Sequence, residues 1–148
     1  MNYLIMVCLL VSVLTANNVH ASELIINLVG QNKPGTLFLA IYADADTYRQ
    51  GIKDGGDATV DVDTYYKSKT FLAVKDVHNV IVDIPDGIYA LAFFIDTDGN
   101  GKLNKNFLGI PKEQFGFSNN AMGALSAPSF EQASFTVFDQ TVQNIKIK

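Results

Sequence analysis

Cysteine and histidine are scarce in this chain, and their scarcity limits both its stability and its chemistry. The one cysteine, Cys8, lies in an apolar segment near the N-terminus, so no disulfide can form within the chain. Its core, and any metal that it binds, must supply the stability. Beyond residue 21 the only histidine is His78, and no nucleophile-elbow motif accompanies it. We therefore interpret His78 as a solvent-facing strand residue rather than part of a catalytic triad.

Basic residues are also few. Lys and Arg total 11 against 15 Asp and Glu, which gives a formal net charge of −4. Nucleic acid and anionic lipid both select a basic surface, so this balance argues against either as a partner. Cations and neutral ligands remain compatible with it. A length of 148 residues without repeats or linkers predicts one domain with a sizeable core.

The N-terminal apolar run is too short to span a membrane. It covers residues 3–14 and ends at the polar residues 15–18, whereas a span needs about 20 apolar residues. Val19 and Ala21 then fit the small-residue rule for signal peptidase cleavage. The sequence predicts a secretory signal at residues 1–21 and a mature domain at 22–148 that has no membrane span. Cleavage before Ser22 would deliver the protein to the periplasm or the extracellular space.

Strand-like segments follow one another through the mature chain. They cover residues 23–30, 36–42, 65–74, 77–84, 88–95, 133–138 and 141–148. Turn residues predict hairpins between the first two and between the last two, with 36–42 central and 88–95 buried. The one helical signal, at 44–50, predicts a single turn ended by Gly51. This pattern predicts an all-β fold, a single antiparallel β-sandwich of about seven strands.

An acidic, glycine-rich segment after residues 88–95 is the strongest functional signal. Its alternating carboxylate and amide side chains, followed by Gly101, match the first nine positions of a calcium-binding loop. At position twelve Phe107 replaces the usual bidentate Glu, so Glu113 is the candidate substitute. We expect weak Ca²⁺ binding, with a dissociation constant of the order of 10⁻⁴ to 10⁻³ M. The predicted metal ligands are Asp96, Asp98, Asn100, Lys102 through its carbonyl, Asn104 and Glu113.

Other interpretations of these acidic residues stay open. Asp and Asn tolerate positive φ and cap their own backbone, so the segment could be a turn that holds no metal. Asp96, Asp98 and Glu113 could instead serve a small hydrolase of the cell envelope as paired carboxylates, which requires Asp96 or Glu113 to face an open cleft. Asp61 and Asp63 are further candidates to assist a cation site.

Aromatic and amide residues are frequent between positions 107 and 130. Aromatic faces beside amide side chains can bind sugars or peptides. Alternatively, the aromatic rings fill one open end of the predicted sandwich. The residues concerned are Phe107, Phe115, Phe117, Phe130, Asn119 and Asn120.

Residues 85–120, PDGIYALAFFIDTDGNGKLNKNFLGIPKEQFGFSNN, together with APSF at 127–130 and ASF at 133–135, resemble the bacterial family DUF2141. The specific part is the combination of a G-x-Y-A strand, the D-x-D-G-N-G-K-L-N turn, G-I-P-x-E and G-F-S-N-N. The resemblance implies a secreted domain similar to prealbumin-type or immunoglobulin-like sandwiches, and it supplies no activity. The family's turn often ends in Asp, where this chain has Asn104. We therefore expect a non-enzymatic module that binds an envelope protein, a peptide or a glycan.

Overall fold

The computed structural model describes residues 21–53, 67–73 and 78–148, with the backbone alone for 67–73 and 78. Residues 1–20 of the predicted signal, and Asp61 and Asp63, lie outside these ranges. The described elements are β1 (Ala21–Val29), β2 (Gly35–Tyr42), α1 (Ala45–Lys53), β3 (Lys67–Ala73), β4 (His78–Pro85), β5 (Gly87–Asp96), β6 (Gln114–Phe117), a 3₁₀ helix (Ser118–Asn120), α2 (Phe130–Ala133), β7 (Phe135–Val137) and β8 (Gln140–Lys146).

These strands form two sheets, so the prediction of a β-rich fold is confirmed. The smaller sheet has the order β4-β1-β8, and the larger has the order β3-β2-β5-β6, with β7 also paired to β5. All described pairs are antiparallel except β1 with β8, which is parallel. The expectation of purely antiparallel pairing is therefore wrong at β8. Strand β2 lies between β3 and β5, as predicted for residues 36–42.

One hydrophobic core joins the facing sides of the two sheets. Successive side chains of a strand point to opposite faces, so alternate residues of each strand enter the core. The larger sheet contributes Leu37, Leu39, Ile41, Leu91, Phe93 and Ile95, and the smaller contributes Leu24, Ile26, Leu28, Val80, Val82, Ile84 and Ile145. Strand β5 is also largely buried on its other face, through Ala90 and Phe94. The predicted burial of residues 88–95 is thus confirmed.

Both predicted hairpins are wrong. Strand β1 pairs with β4 and β8, whereas β2 pairs with β3 and β5, so the chain after Val29 crosses from one sheet to the other. Strand β7 likewise pairs with β5 while β8 pairs with β1, and Asp139 between them has a positive φ of 52°. Alternating apolar residues fix which face of a strand is buried. They do not fix which strand lies beside it.

Helix α1 is longer than the predicted single turn and continues through Gly51. Asp44 precedes it, and its Oδ1 accepts hydrogen bonds from the N–H groups of Asp46 and Thr47, which is the expected cap. Gly51 is buried against the ring of Tyr42, and a Cβ at this position would collide with that ring. Gly51 therefore allows close packing of the helix on β2 rather than ending the helix. In the described part of the chain, no helix has the length and apolarity that crossing a membrane requires.

Candidate functional site

The acidic segment follows β5 and leads, through a long connection, to β6. Asp96 is the last residue of β5, and Glu113 directly precedes β6; because Ile95 pairs with Gln114, the two carboxylates are neighbours across the strand pair. Asp96 and Glu113 are buried, and Asp98 is exposed. One oxygen atom from each of these three residues lies within 4.8 Å of the others. The structure therefore brings the predicted replacement ligand, Glu113, to the turn.

Asp96 organises the backbone of the turn. Its Oδ1 accepts hydrogen bonds from the N–H groups of Gly99 (2.7 Å) and Asp98 (3.2 Å), and its Oδ2 accepts one from Gly101 (2.7 Å). Gly99 and Gly101 have φ values of 79° and 72°, a region that residues with a Cβ rarely adopt. The two glycines thus let the chain fold back over one carboxylate.

These hydrogen bonds decide the charge of Asp96. Burial alone would raise its pKa, but the N–H groups of Gly101 and Gly99 outweigh burial and hold the pKa below its ordinary value. At neutral pH the side chain is therefore an anion. A buried anion of this kind is suited to a cation and unsuited to the role of general acid.

Asn100, Lys102 and Asn104 surround Asp98 at the exposed side of the turn. Asp98 Oδ2 accepts hydrogen bonds from the side-chain amides of Asn104 (2.6 Å) and Asn100 (3.2 Å). Asn100 Oδ1 accepts one from the Lys102 N–H (2.7 Å), and Asn104 Oδ1 accepts one from the Asn100 amide (2.9 Å). These predicted ligands are present at the turn, and their amide groups bind one another and Asp98.

Glu113 connects the beginning and the end of the turn. Its Oε1 accepts hydrogen bonds from the N–H (2.8 Å) and hydroxyl (3.1 Å) of Thr97, and its Oε2 accepts one from the N–H of Asn104 (3.0 Å). The Lys112 N–H in turn donates to the Asn104 carbonyl (2.8 Å). The 97–113 connection is therefore closed at its base by one carboxylate.

Each of the three carboxylates keeps capacity for a cation. An ionised carboxylate has about four lone-pair directions, and the described hydrogen bonds use three at each of Asp96, Asp98 and Glu113. A metal ion could bind without breaking the turn. The same hydrogen bonds also satisfy the turn without a metal, so this geometry is compatible with both interpretations.

The hydrolase arrangement finds less support. Asp96 is 3% exposed and Glu113 is 6% exposed, so little of either residue is open to a substrate, although Glu113 is among the residues that line a small pocket of about 240 Å³. The pKa of Asp96 is lowered, whereas a general acid needs a raised one. His78 begins β4, where its backbone pairs with Leu28, and its side chain lies outside what is described.

The phenylalanines of residues 107–130 do not fill one end of the fold together. Phe117 packs in a second hydrophobic cluster with Tyr42 and Tyr48 on the outer face of the larger sheet, and Phe115 and Phe130 flank that cluster. Phe107 instead projects into solvent, 94% exposed. The expected burial is therefore confirmed for Phe117 and in part for Phe115 and Phe130, whereas the burial of Phe107 and the position of the rings at one end of the sandwich are wrong.

Two asparagines proposed for ligand binding hold the protein's own backbone. The Asn119 amide donates to the Ser134 carbonyl (2.7 Å). The Asn120 amide donates to the Asn144 carbonyl (2.9 Å), and its Oδ1 accepts from the Lys146 N–H (2.7 Å). Both residues have positive φ, which Asn tolerates better than most residues. These hydrogen bonds connect the 3₁₀ helix to β8 and to Ser134, the residue before β7.

An apolar groove that the sequence did not reveal lies on the outer face of the larger sheet. Its floor contains Phe38 and Ala40 from β2 and Ala92 and Phe94 from β5, and its cavity volume is about 1030 Å³. The available signal was that β2 and β5 are apolar on both faces while the chain has few helical residues to cover them. The residue pattern did not predict where the loops that surround the groove would lie.

Comparison with known proteins identifies the family of the chain. Residues 26–146 match the model of a family described as an uncharacterized protein conserved in bacteria (DUF2141). No curated protein and no solved structure gives a significant match to the chain.

Proposed function

Because the chain belongs to the uncharacterised bacterial family DUF2141, we propose from its own geometry that it is a secreted, non-enzymatic binding module whose acidic turn holds calcium. The observation that carries this proposal is the convergence of Asp96 and Asp98 with Glu113, which arrives from beyond a long connection. Calcium takes six to eight oxygen ligands and accepts irregular geometry. Carboxylates, amide oxygens and water at this turn supply ligands of that type.

Calcium at this position would stabilise the fold by joining three parts of it. Asp96 belongs to β5, Asp98 to the turn, and Glu113 to the chain entering β6. A cation shared by these residues adds to the hydrogen bonds that already close the 97–113 connection. Binding is expected to be weak, with a dissociation constant of the order of 10⁻⁴ to 10⁻³ M, because only three carboxylates converge at the turn and one of them is exposed.

The finer description of the fold and location is part of the same proposal. The shared core of the two sheets supports a β-sandwich of the prealbumin or immunoglobulin-like type, modified by the parallel β1–β8 pair. The apolar run and the small residues at 19 and 21 support export to the periplasm or beyond. Burial of Asp96 and its lowered pKa support binding rather than hydrolysis.

Thermal unfolding with calcium or with a chelator tests the calcium proposal. At about 10 mM calcium and the expected affinity, the free energy of unfolding should rise by about 1.4–2.7 kcal/mol, which raises the melting temperature by several degrees. Asp98→Asn should lose most of this gain. Asp139→Asn is the matched control, since Asp139 is an exposed acidic residue between β7 and β8. If calcium up to about 10 mM does not change the melting temperature, the calcium proposal is wrong and the segment is a turn that holds no metal.

A further inference from the structure

The apolar groove has the dimensions of a ligand-binding site. Ala40 and Ala92 are paired across strands β2 and β5, and their small side chains leave space above the sheet. Beside them Phe38 and Phe94 stack with ring centroids 5.2 Å apart. The cavity of about 1030 Å³ is at the upper end of the range of roughly 300–1,000 Å³ found for small-molecule sites.

Large apolar side chains surround this groove and remain in contact with water. Leu108 and Ile110 come from the loop at 105–111, and Met122 and Leu125 come from the loop before α2; all four are exposed. A contiguous group of such residues is unusual on a soluble surface and is typical of a binding site. All four belong to the same lining as the apolar floor.

Cationic side chains border the groove, although the chain as a whole is acidic. Arg49 and Lys53 line it from α1 and Lys105 lines it from the 105–111 loop, whereas Glu131 is the only acidic residue among the described lining residues. Arg49 also bonds to Asp46, which leaves the two lysines as the less engaged cations. An apolar floor with a cationic border complements a molecule that has a long apolar body and an anionic end.

We propose that this groove binds a single-chain amphiphile of the fatty-acid class. The acyl chain lies on the floor formed by Ala40, Ala92 and the stacked phenylalanines, and the carboxylate is directed to Lys53 and Lys105. Burial of the chain supplies most of the binding energy. Apolar side chains outnumber polar ones in the described lining, which favours an acyl chain over a glycan.

This groove and the acidic turn share the 97–113 connection, which supplies Leu103, Lys105 and Leu108 to the lining, but the two sites use different side chains. Asp96, Asp98 and Glu113 are absent from the described lining of the groove. Amphiphile binding should therefore persist when calcium is removed with a chelator. The two proposals can therefore fail separately. If the protein binds amphiphile but not calcium, only the calcium proposal fails, and if it binds calcium but not amphiphile, only the amphiphile proposal fails.

Titration calorimetry with laurate, on delipidated mature protein in chelator, is the direct test. We expect saturable binding of one laurate per protein and weaker binding of dodecanol, which has the same chain without the charge. Ala92→Phe should fill the floor and remove saturable binding. Leu125→Ser is a second variant, at a fully exposed position where we expect little effect on folding, and it should weaken binding about tenfold.

The charge contribution has a matched control. Lys53→Gln and Lys105→Gln should each weaken laurate binding about two- to fivefold, the range of an exposed ion pair. Lys146→Gln removes an equally exposed lysine from the smaller sheet and should leave the affinity unchanged. The assignment of a carboxylate head group would be overturned if all three lysine variants bound laurate with the same affinity and the wild type bound dodecanol as tightly as laurate.

Lack of saturable laurate binding would overturn the proposal as a whole, and so would unchanged binding by both Leu125→Ser and folded Ala92→Phe. If the protein binds no laurate but co-sediments with phosphatidylglycerol vesicles, the exposed apolar loops are a membrane-contact surface instead.

Discussion

The carboxylate of Asp96 accepts hydrogen bonds from three backbone N–H groups, and Glu113 accepts two more from Thr97 and Asn104. Hydrogen bonds to a charged acceptor contribute more to stability than neutral ones. Both side chains are buried, so water cannot replace a lost partner. These two residues therefore stabilise the turn whether or not a cation is bound.

Asp96→Asn should destabilise the protein even in chelator. An amide keeps one acceptor oxygen and gains an NH₂ group, which would face at least one of the backbone donors. We expect the free energy of unfolding to fall by about 1.5–3 kcal/mol, measured by urea denaturation. Asp98→Asn, at an exposed position, should cost about 0.5 kcal/mol or less. Equal losses in the two variants would contradict the structural role of Asp96.

Residue types and spacing were enough to predict the acidic site but not the buried polar groups elsewhere. Asp96 and Asp98 stand in a recognisable pattern, and Glu113 was the acidic residue able to replace a missing ligand. Ser118 was not predicted, although it is fully buried, accepts from the Leu91 N–H (2.8 Å) and donates to the Ala133 carbonyl. Its importance depends on which backbone groups the fold leaves unpaired, and the sequence does not specify these.

Strand β5 is the element that connects the core, the turn and the groove. Its alternate residues face the smaller sheet, its other face contributes Ala92 and Phe94 to the groove, and its last residue is Asp96. Burial of this strand followed from its continuous apolar composition. The sequence did not predict that β5 pairs with β2, β6 and β7, because strand pairing depends on contacts between residues far apart in the chain.

Helix α1 provides a test of local stability with a defined pH dependence. Hydrogen bonds from the Thr47 N–H and hydroxyl hold the pKa of Asp44 below its ordinary value. The part of the capping energy that depends on the charge of Asp44 is therefore fully present above the ordinary Asp pKa of about 3.9 and is lost as pH falls through the lower folded-state pKa. Asp44→Ala should cost about 1 kcal/mol at neutral pH.

The matched control for this helix is Asp44→Asn, which keeps a capping oxygen but does not titrate. Urea denaturation at neutral pH should show nearly wild-type stability for it. In acid, the difference between the wild type and Asp44→Ala should shrink. A cost for Asp44→Ala that stays constant down to strong acid would show that the charge of Asp44 has no part in the cap.

For the whole molecule, the net charge of −4 bears on large partners, whereas the local charges bear on small ligands. The net charge argues against a broad basic surface of the kind that nucleic acid requires. It does not prevent two lysines and an arginine from lining one apolar groove. Composition therefore bears on the class of large partners that we expect, and it gives no information about a small ligand.

Export makes a prediction about the N-terminus of the whole protein. Signal peptidase should cleave after Ala21, so N-terminal sequencing of the exported protein should begin at Ser22. Ser22 is buried in β1, and its hydroxyl donates to Asp86 Oδ1. Ser22 is therefore part of the folded domain, as a cleavage site directly before it requires. Recovery of intact Met1 from a cytoplasmic fraction would contradict export.

The most direct test of the calcium proposal is a high-resolution crystal structure of the mature protein grown in about 10 mM calcium, compared with one grown in chelator. We predict an electron-density peak in calcium alone, with oxygen atoms of Asp96, Asp98 and Glu113 at about 2.3–2.6 Å from it. An empty turn in calcium, with the three carboxylates bonded only to N–H and hydroxyl groups, would contradict the proposal that this module holds calcium.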